Sequence, residues 1–255
     1  MKSNPDKLAH FQYVLRLADD ALVLGHRLSE WSGRGPTLEE DIALTNIALD
    51  LVGQARSLLA YAGHIEGQGR DEDALAYHRD AHQFLNAQLV ERANGDFAAT
   101  MARQLFYSVF AEMLWSALKN STSAELAGIA AKAEKECAYH VRHSSEWVIR
   151  LGDGTAESQA RMQRAIDDAW MFTGELFEMD TVDNAMLESG IGIDRSALRQ
   201  AWTKYVVGVL EQATLVRPRD GWMISGGRRG IHTEYLGPML AQMQFLQRAY
   251  PGAVW

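Results

Sequence analysis

The residues best placed to do chemistry lie in Ala133–His143, where Glu136, His140 and His143 follow one another within three helical turns. A carboxylate and an imidazole one turn apart form half of the unit with which helical bundles hold two metal ions and activate oxygen. A full site takes about four carboxylates and two histidines, arranged as two Glu-x-x-His units plus two further acids. Glu136 and His140 are instead spaced i, i+4, and Tyr139 stands at i+3. The second half of the chemistry would come from Asp50, but Gly53 and Gln54 occupy its i+3 and i+4 positions. Asp20 and Glu112 complete the acids that helix periodicity can turn inward. Asp20, Asp50, Glu112, Glu136 and His140 are enough for a polar core and poor for two metals. The reading is therefore a vestigial polar core (Asp20, Asp50, Glu136 and His140) with no metal, cofactor or catalytic residue in this chain. The alternative is a di-iron oxygenase with its own site on these residues.

Each candidate also has a plainer explanation. Arg16 lies i+3 and i+4 from Asp19 and Asp20, which reads as an ordinary helical ion pair, and Lys132–Glu136 is another. His140 falls on the apolar stripe Leu126, Ala130, Ala133, Cys137, Ser144, Trp147 and reads as interior, whereas His143 reads as exposed. His78 and His82 have zinc-compatible spacing, but Arg79 replaces the glutamate of the zinc-protease motif and no third ligand follows. Ser225–Gly230 is a glycine-rich basic loop. A connector, or a contact with a partner, explains it more simply than an anion cradle, although Arg228 and Arg229 could hold an acyl-CoA phosphate. Trp115, Trp202, Trp222 and Trp255 are candidate interface anchors.

The elements that must position these residues are helices. The stripe Phe11, Leu15, Ala18, Leu22, Leu28 predicts a helix from Leu8 to about Trp31, closed by Ser32–Pro36. Thr37 and Glu40 form a capping-box start for a second helix that stops near Gly63. Residues 67–94 read as a crossover with one or two short helices. Asp96 caps a third helix to about Lys119, and a fourth runs from about Ala124 to Leu151. These are two antiparallel pairs with a longer link, the connectivity of a ferritin-like four-helix bundle. Additional C-terminal helices are expected over Glu157–Met179, Val182–Leu187, from Asp194 to about Leu210, and from Pro238 to Leu246. The chain thus reads as all-α: one domain over residues 1–255, with a bundle at about 8–151 and a helical extension at about 155–255.

Composition bounds the function. With 47% hydrophobic residues the 255-residue chain can bury a large core, and a net charge of −8 argues against nucleic acid. Cys137 is the one cysteine, so no intrachain disulfide is expected. The start at Met1–Asp6 lacks a signal-peptide pattern, and no apolar run reaches the length of a membrane span. The expectation is a cytoplasmic protein with no membrane segment.

Four stretches taken together, Leu22–Trp31, Asp41–Arg56, Glu136–Ser144 and His232–Leu240, resemble the PaaC family, and the likeness spans nearly the whole chain. These are the structural, beta-type subunits of the multicomponent phenylacetyl-CoA 1,2-epoxidase. The resemblance implies a complex that inserts one oxygen atom of O2 into the ring of phenylacetyl-CoA during aerobic phenylacetate breakdown. It also implies a PaaA-type partner that carries the di-iron centre. A PaaE-type reductase would bring NADPH electrons through FAD and an iron–sulfur cluster, and the set is completed by a small PaaB-type subunit. It implies no catalytic residue in this chain, a large apolar face buried against the partner, and a possible homodimer when the chain is isolated.

Overall fold

The computed structural model describes residues 5–253; the start at Met1–Asn4 and the anchor candidate Trp255 lie outside the described residues. Eleven α-helices and no strand occur among them. They are α1 (Pro5–Ser29), α2 (Leu38–Glu66), α3 (Glu72–Tyr77), α4 (Gln88–Glu91), α5 (Phe97–Leu118) and α6 (Ala124–Gly152). α7 (Ala156–Trp170), α8 (Thr181–Glu188), α9 (Arg199–Gln212), α10 (Leu236–Met243) and α11 (Phe245–Ala249) follow.

Two compact units divide the chain. The first takes the residues up to Ala93, Thr181–Met186 and the chain from Gly226 on; the second takes Asn94–Asp180 and Leu187–Ser225. Residues 155–255 are thus shared between the two. In the first unit α1 and α2 are antiparallel. The Tyr61 hydroxyl lies 3.1 Å from His10 Nε2 near one end, and Gly25 packs on Ala48 and Leu51 nearer the other. In the second unit α5 and α6 are antiparallel as well, with Lys119 Nζ 2.6 Å from Glu134 and Phe97 edge-on to Trp147.

Local signals explain most helix ends. Thr37, Asp96 and Ser123 each accept a backbone N–H in the first turn of α2, α5 and α6. Gly63 does not stop α2, which runs on to a left-handed cap at Gly67. Gly63 is a glycine because a Cβ there would sit 2.2 Å from the Arg70 carbonyl oxygen. The helix expected over Glu157–Met179 ends at Trp170, where the Thr173 hydroxyl donates to the Trp170 carbonyl at 2.8 Å, and a 3₁₀ turn follows over Gly174–Phe177. The last predicted helix is two, interrupted at Gln244, whose amide donates to the carbonyls of Ala76 and Arg79 at 3.0 and 2.9 Å.

Candidate functional site: buried ion pairs on the first helix

The run Tyr13–Gly25 of α1 is buried on all sides, and Arg16, Asp19 and Asp20 within it are almost wholly withdrawn from water. A buried charge must be paired and hydrogen-bonded to be tolerated. Asp20 accepts from Arg228 Nη2 at 2.7 Å, from Arg228 Nη1 at 3.0 Å, and from the Ala87 amide at 2.7 Å. Asp19 is gripped by both terminal nitrogens of Arg79, one at 2.9 Å, and accepts the Leu85 amide at 2.8 Å. Arg16 reaches Asp183 at 3.0 Å. The Arg79 guanidinium also lies 4.1 Å from the centre of the Phe84 ring.

Glu91 ends a second set. It accepts from Asn86 at 2.9 Å, from the Thr233 amide, and from His232 Nδ1 at 2.8 Å. His232 Nε2 is 2.8 Å from the Phe84 carbonyl oxygen. Both ring nitrogens therefore face oxygen atoms, an arrangement that favours the doubly protonated imidazolium. Burial pushes the His232 pKa down, but the Glu91 carboxylate and the Phe84 carbonyl outweigh it, so the pKa lies above 6.5. Arg27 joins the same region: Nε donates to the Glu91 carbonyl at 2.9 Å and Nη2 to the Tyr235 carbonyl at 2.7 Å.

These contacts tie the C-terminal segment onto α1 and the crossover. The basic loop Ser225–Gly230 contributes Arg228 to that tie, buried and engaged by Asp20 and by the carbonyls of Arg16 and Leu85, whereas Arg229 beside it is exposed. Its glycines follow from close packing. A Cβ on Gly227 would lie 2.1 Å from the Asn86 oxygen, and one on Gly230 would lie 2.2 Å from that of His82, at a φ of +75°. The zinc spacing of His78 and His82 dissolves, because α3 closes at His78, a separate 3₁₀ turn follows, and both histidines are exposed.

The other predicted residues are divided between the two units. Asp20 and the half-buried Asp50 belong to the first unit, and Glu112, Glu136 and His140 to the second. Glu136 is half-buried and pairs with Lys132 at 3.4 Å. Glu112 has a raised pKa, from burial first and from Glu134 second. His140 is interior as expected, but His143 is buried too, contrary to its predicted exposure. No three His, Cys, Asp or Glu side chains among the described residues are placed to share one ion. With Asp20 engaged by Arg228 and Gly53 one turn after Asp50, these residues do not match the four carboxylates and two imidazoles of a di-iron bundle.

Of the tryptophans, Trp115 and Trp202 are core and not interface anchors; the Trp202 indole donates to the Phe106 carbonyl at 2.9 Å. Trp222 is 75% exposed. Sequence reasoning missed Arg79, Glu91, Asp183 and His232. One signal was available: three charges inside Tyr13–Gly25, a run otherwise apolar around the whole helix, demand distant partners. No helix among the described residues is long and apolar enough to cross a membrane.

Comparison with known proteins adds two findings. The profile of the family described as "Phenylacetic acid catabolic protein" matches residues 1–255. The chain is 51% identical over 243 residues to the C-type subunit of the 1,2-phenylacetyl-CoA epoxidase of Escherichia coli (strain K12), covering 95% of this chain and 98% of that protein.

Proposed function

The chain belongs to the phenylacetic acid catabolic protein family, all-α and ferritin-like, and from that membership we propose that it is the structural subunit of a phenylacetyl-CoA epoxidase. The complex epoxidises the ring of phenylacetyl-CoA with O2 and NADPH in the cytoplasm, as a step of aerobic phenylacetate breakdown. A PaaA-type subunit holds the di-iron centre, PaaE- and PaaB-type subunits complete the assembly, and this chain keeps the catalytic subunit folded and soluble without a metal of its own.

The observation that supports a scaffold is the state of Asp20. Both carboxylate oxygens are spent on Arg228, and one also takes the Ala87 amide, so this buried candidate ligand serves as an internal tie. Such a tie holds the C-terminal segment in one register, a role for which buried ion pairs are suited even when their net stabilisation is small.

Co-expression with the PaaA-type subunit from the same genome tests this. A stable complex is expected, with iron found in the partner and epoxidation lost when this chain is omitted. About two tightly bound irons per copy of this chain, the content of a dinuclear site, would establish the di-iron alternative instead.

A further inference from the structure

The second unit contains a cavity of about 140 Å³ that none of the buried ties on α1 touches. Its walls are aromatic: Trp170, Phe177 and Trp202 line it, and all three side chains are buried. The Trp170 and Trp202 ring centres lie 5.7 Å apart at 39°, and Phe177 stands against Trp202 at 5.3 Å and 63°. Protein interiors leave few voids larger than a water molecule, so a space of this size is unfavourable unless something fills it. An apolar cavity of roughly 150 Å³ is enough to admit benzene. The space therefore fits a single aromatic ring.

One side of the cavity is charged and reaches water. Arg217 donates from Nη2 to both carboxylate oxygens of Asp220, at 2.7 and 2.6 Å, and its guanidinium lies 5.1 Å from the centre of the Trp170 ring. The Trp170 indole donates to the same carboxylate at 3.3 Å. The Arg217 hydrogen bonds, ahead of every other influence, hold the Asp220 pKa below its usual value, so this carboxylate stays ionised. Arg199 lines the cavity from the exposed start of α9. Its charge acts on Asp220 through space, and it donates no hydrogen bond among the described residues. Two guanidinium groups thus face one carboxylate, which leaves one positive charge and one fork of donors to be met. A second carboxylate matches that fork in both charge and planar geometry. A cation would be repelled by the surplus.

We infer that this cavity binds a small aryl carboxylate, the ring held among Trp170, Phe177 and Trp202 and the carboxylate on Arg199. Isothermal titration of the full-length chain with benzoate should show one saturable site per chain. Toluene and acetate, each carrying half of the recognised structure, should bind at least about tenfold more weakly, since the lost charged hydrogen bond or ring burial is each worth more than that. Arg199→Gln should weaken benzoate by about ten- to a hundredfold, the value of a hydrogen bond to a charged group. It should leave toluene binding and the Tm of the unliganded chain unchanged, because Arg199 is exposed. Thr203, half-buried on the cavity wall, offers a second variant. Thr203→Phe should fill the space and abolish binding, with circular dichroism confirming the fold. No saturable binding of benzoate at millimolar concentration would overturn the inference. So would toluene binding as tightly as benzoate, or a benzoate affinity indifferent to Arg199→Gln.

Discussion

Arg228 Nη2 lies 2.7 Å from Asp20 Oδ2, with both side chains almost wholly out of water, and the two residues are 208 positions apart in the chain. A contact of that kind registers the last segment of the polypeptide on its first helix. Its value is in fixing one arrangement, since two charges taken from water return little net stability even when well paired.

Removing one partner is a different matter. Arg228→Met should destabilise the chain by about 3–5 kcal/mol, because Asp20 is left charged and buried. The double variant Asp20→Leu with Arg228→Met should recover part of that loss. Recovery stays incomplete because the Ala87 amide loses its acceptor. Urea denaturation of the three proteins measures both steps; equal stability of Arg228→Met and wild type would refute the assignment.

The Glu91–His232 pair makes stability depend on pH with a definite sign. The His232 pKa is raised in the folded chain above 6.5, so the folded state holds a proton that the unfolded state releases. Its contribution is complete below 6.5 and is lost as pH rises through the folded value. Urea midpoints should therefore fall from the mildly acidic to the alkaline side, and His232→Gln should flatten that fall. Parallel slopes for the two proteins would show that the pair is not the source.

Glycines of two kinds should respond oppositely to alanine. Gly63→Ala and Gly227→Ala force a Cβ to 2.2 and 2.1 Å from the carbonyl oxygens of Arg70 and Asn86, and should each cost about 1–3 kcal/mol or more. Gly128→Ala, on an exposed helix position with open space, should stabilise by roughly 0.5–1 kcal/mol. Thermal melts separate the two classes by the direction of the Tm shift.

Glu136→Gln tests whether the most suggestive motif in the chain does chemistry. Its half-buried pair with Lys132 predicts a change within about 0.5 kcal/mol, typical of an i, i+4 surface pair. Epoxidation by the reconstituted complex should be unaffected per iron. A large loss of turnover with normal assembly would make Glu136 a metal ligand after all.

Much of the helical scaffold was legible from local pattern. The caps at Thr37 and Asp96, and the antiparallel pairs around short turns, follow from spacing alone because they depend on residues within one or two turns. The errors share a cause. Gly63 looked like a stop, but its reason is the Arg70 backbone passing close by; Met179 looked like a helix end, but Thr173 closes the helix early. Arg16 looked like the partner of Asp19 by helical spacing, whereas the guanidinium that grips Asp19 comes from Arg79.

By itself the amino-acid order settled which segments are helical, because backbone hydrogen bonding and apolar periodicity are satisfied within a segment. It also carried, through four stretches of residues, the likeness that places the chain in its family. The tertiary structure alone decided which charge answers which. Burial removes water as a partner, and the replacement must come from wherever the folded chain brings a complementary group, whether 60 residues away for Arg79 and Asp19 or 208 for Arg228 and Asp20.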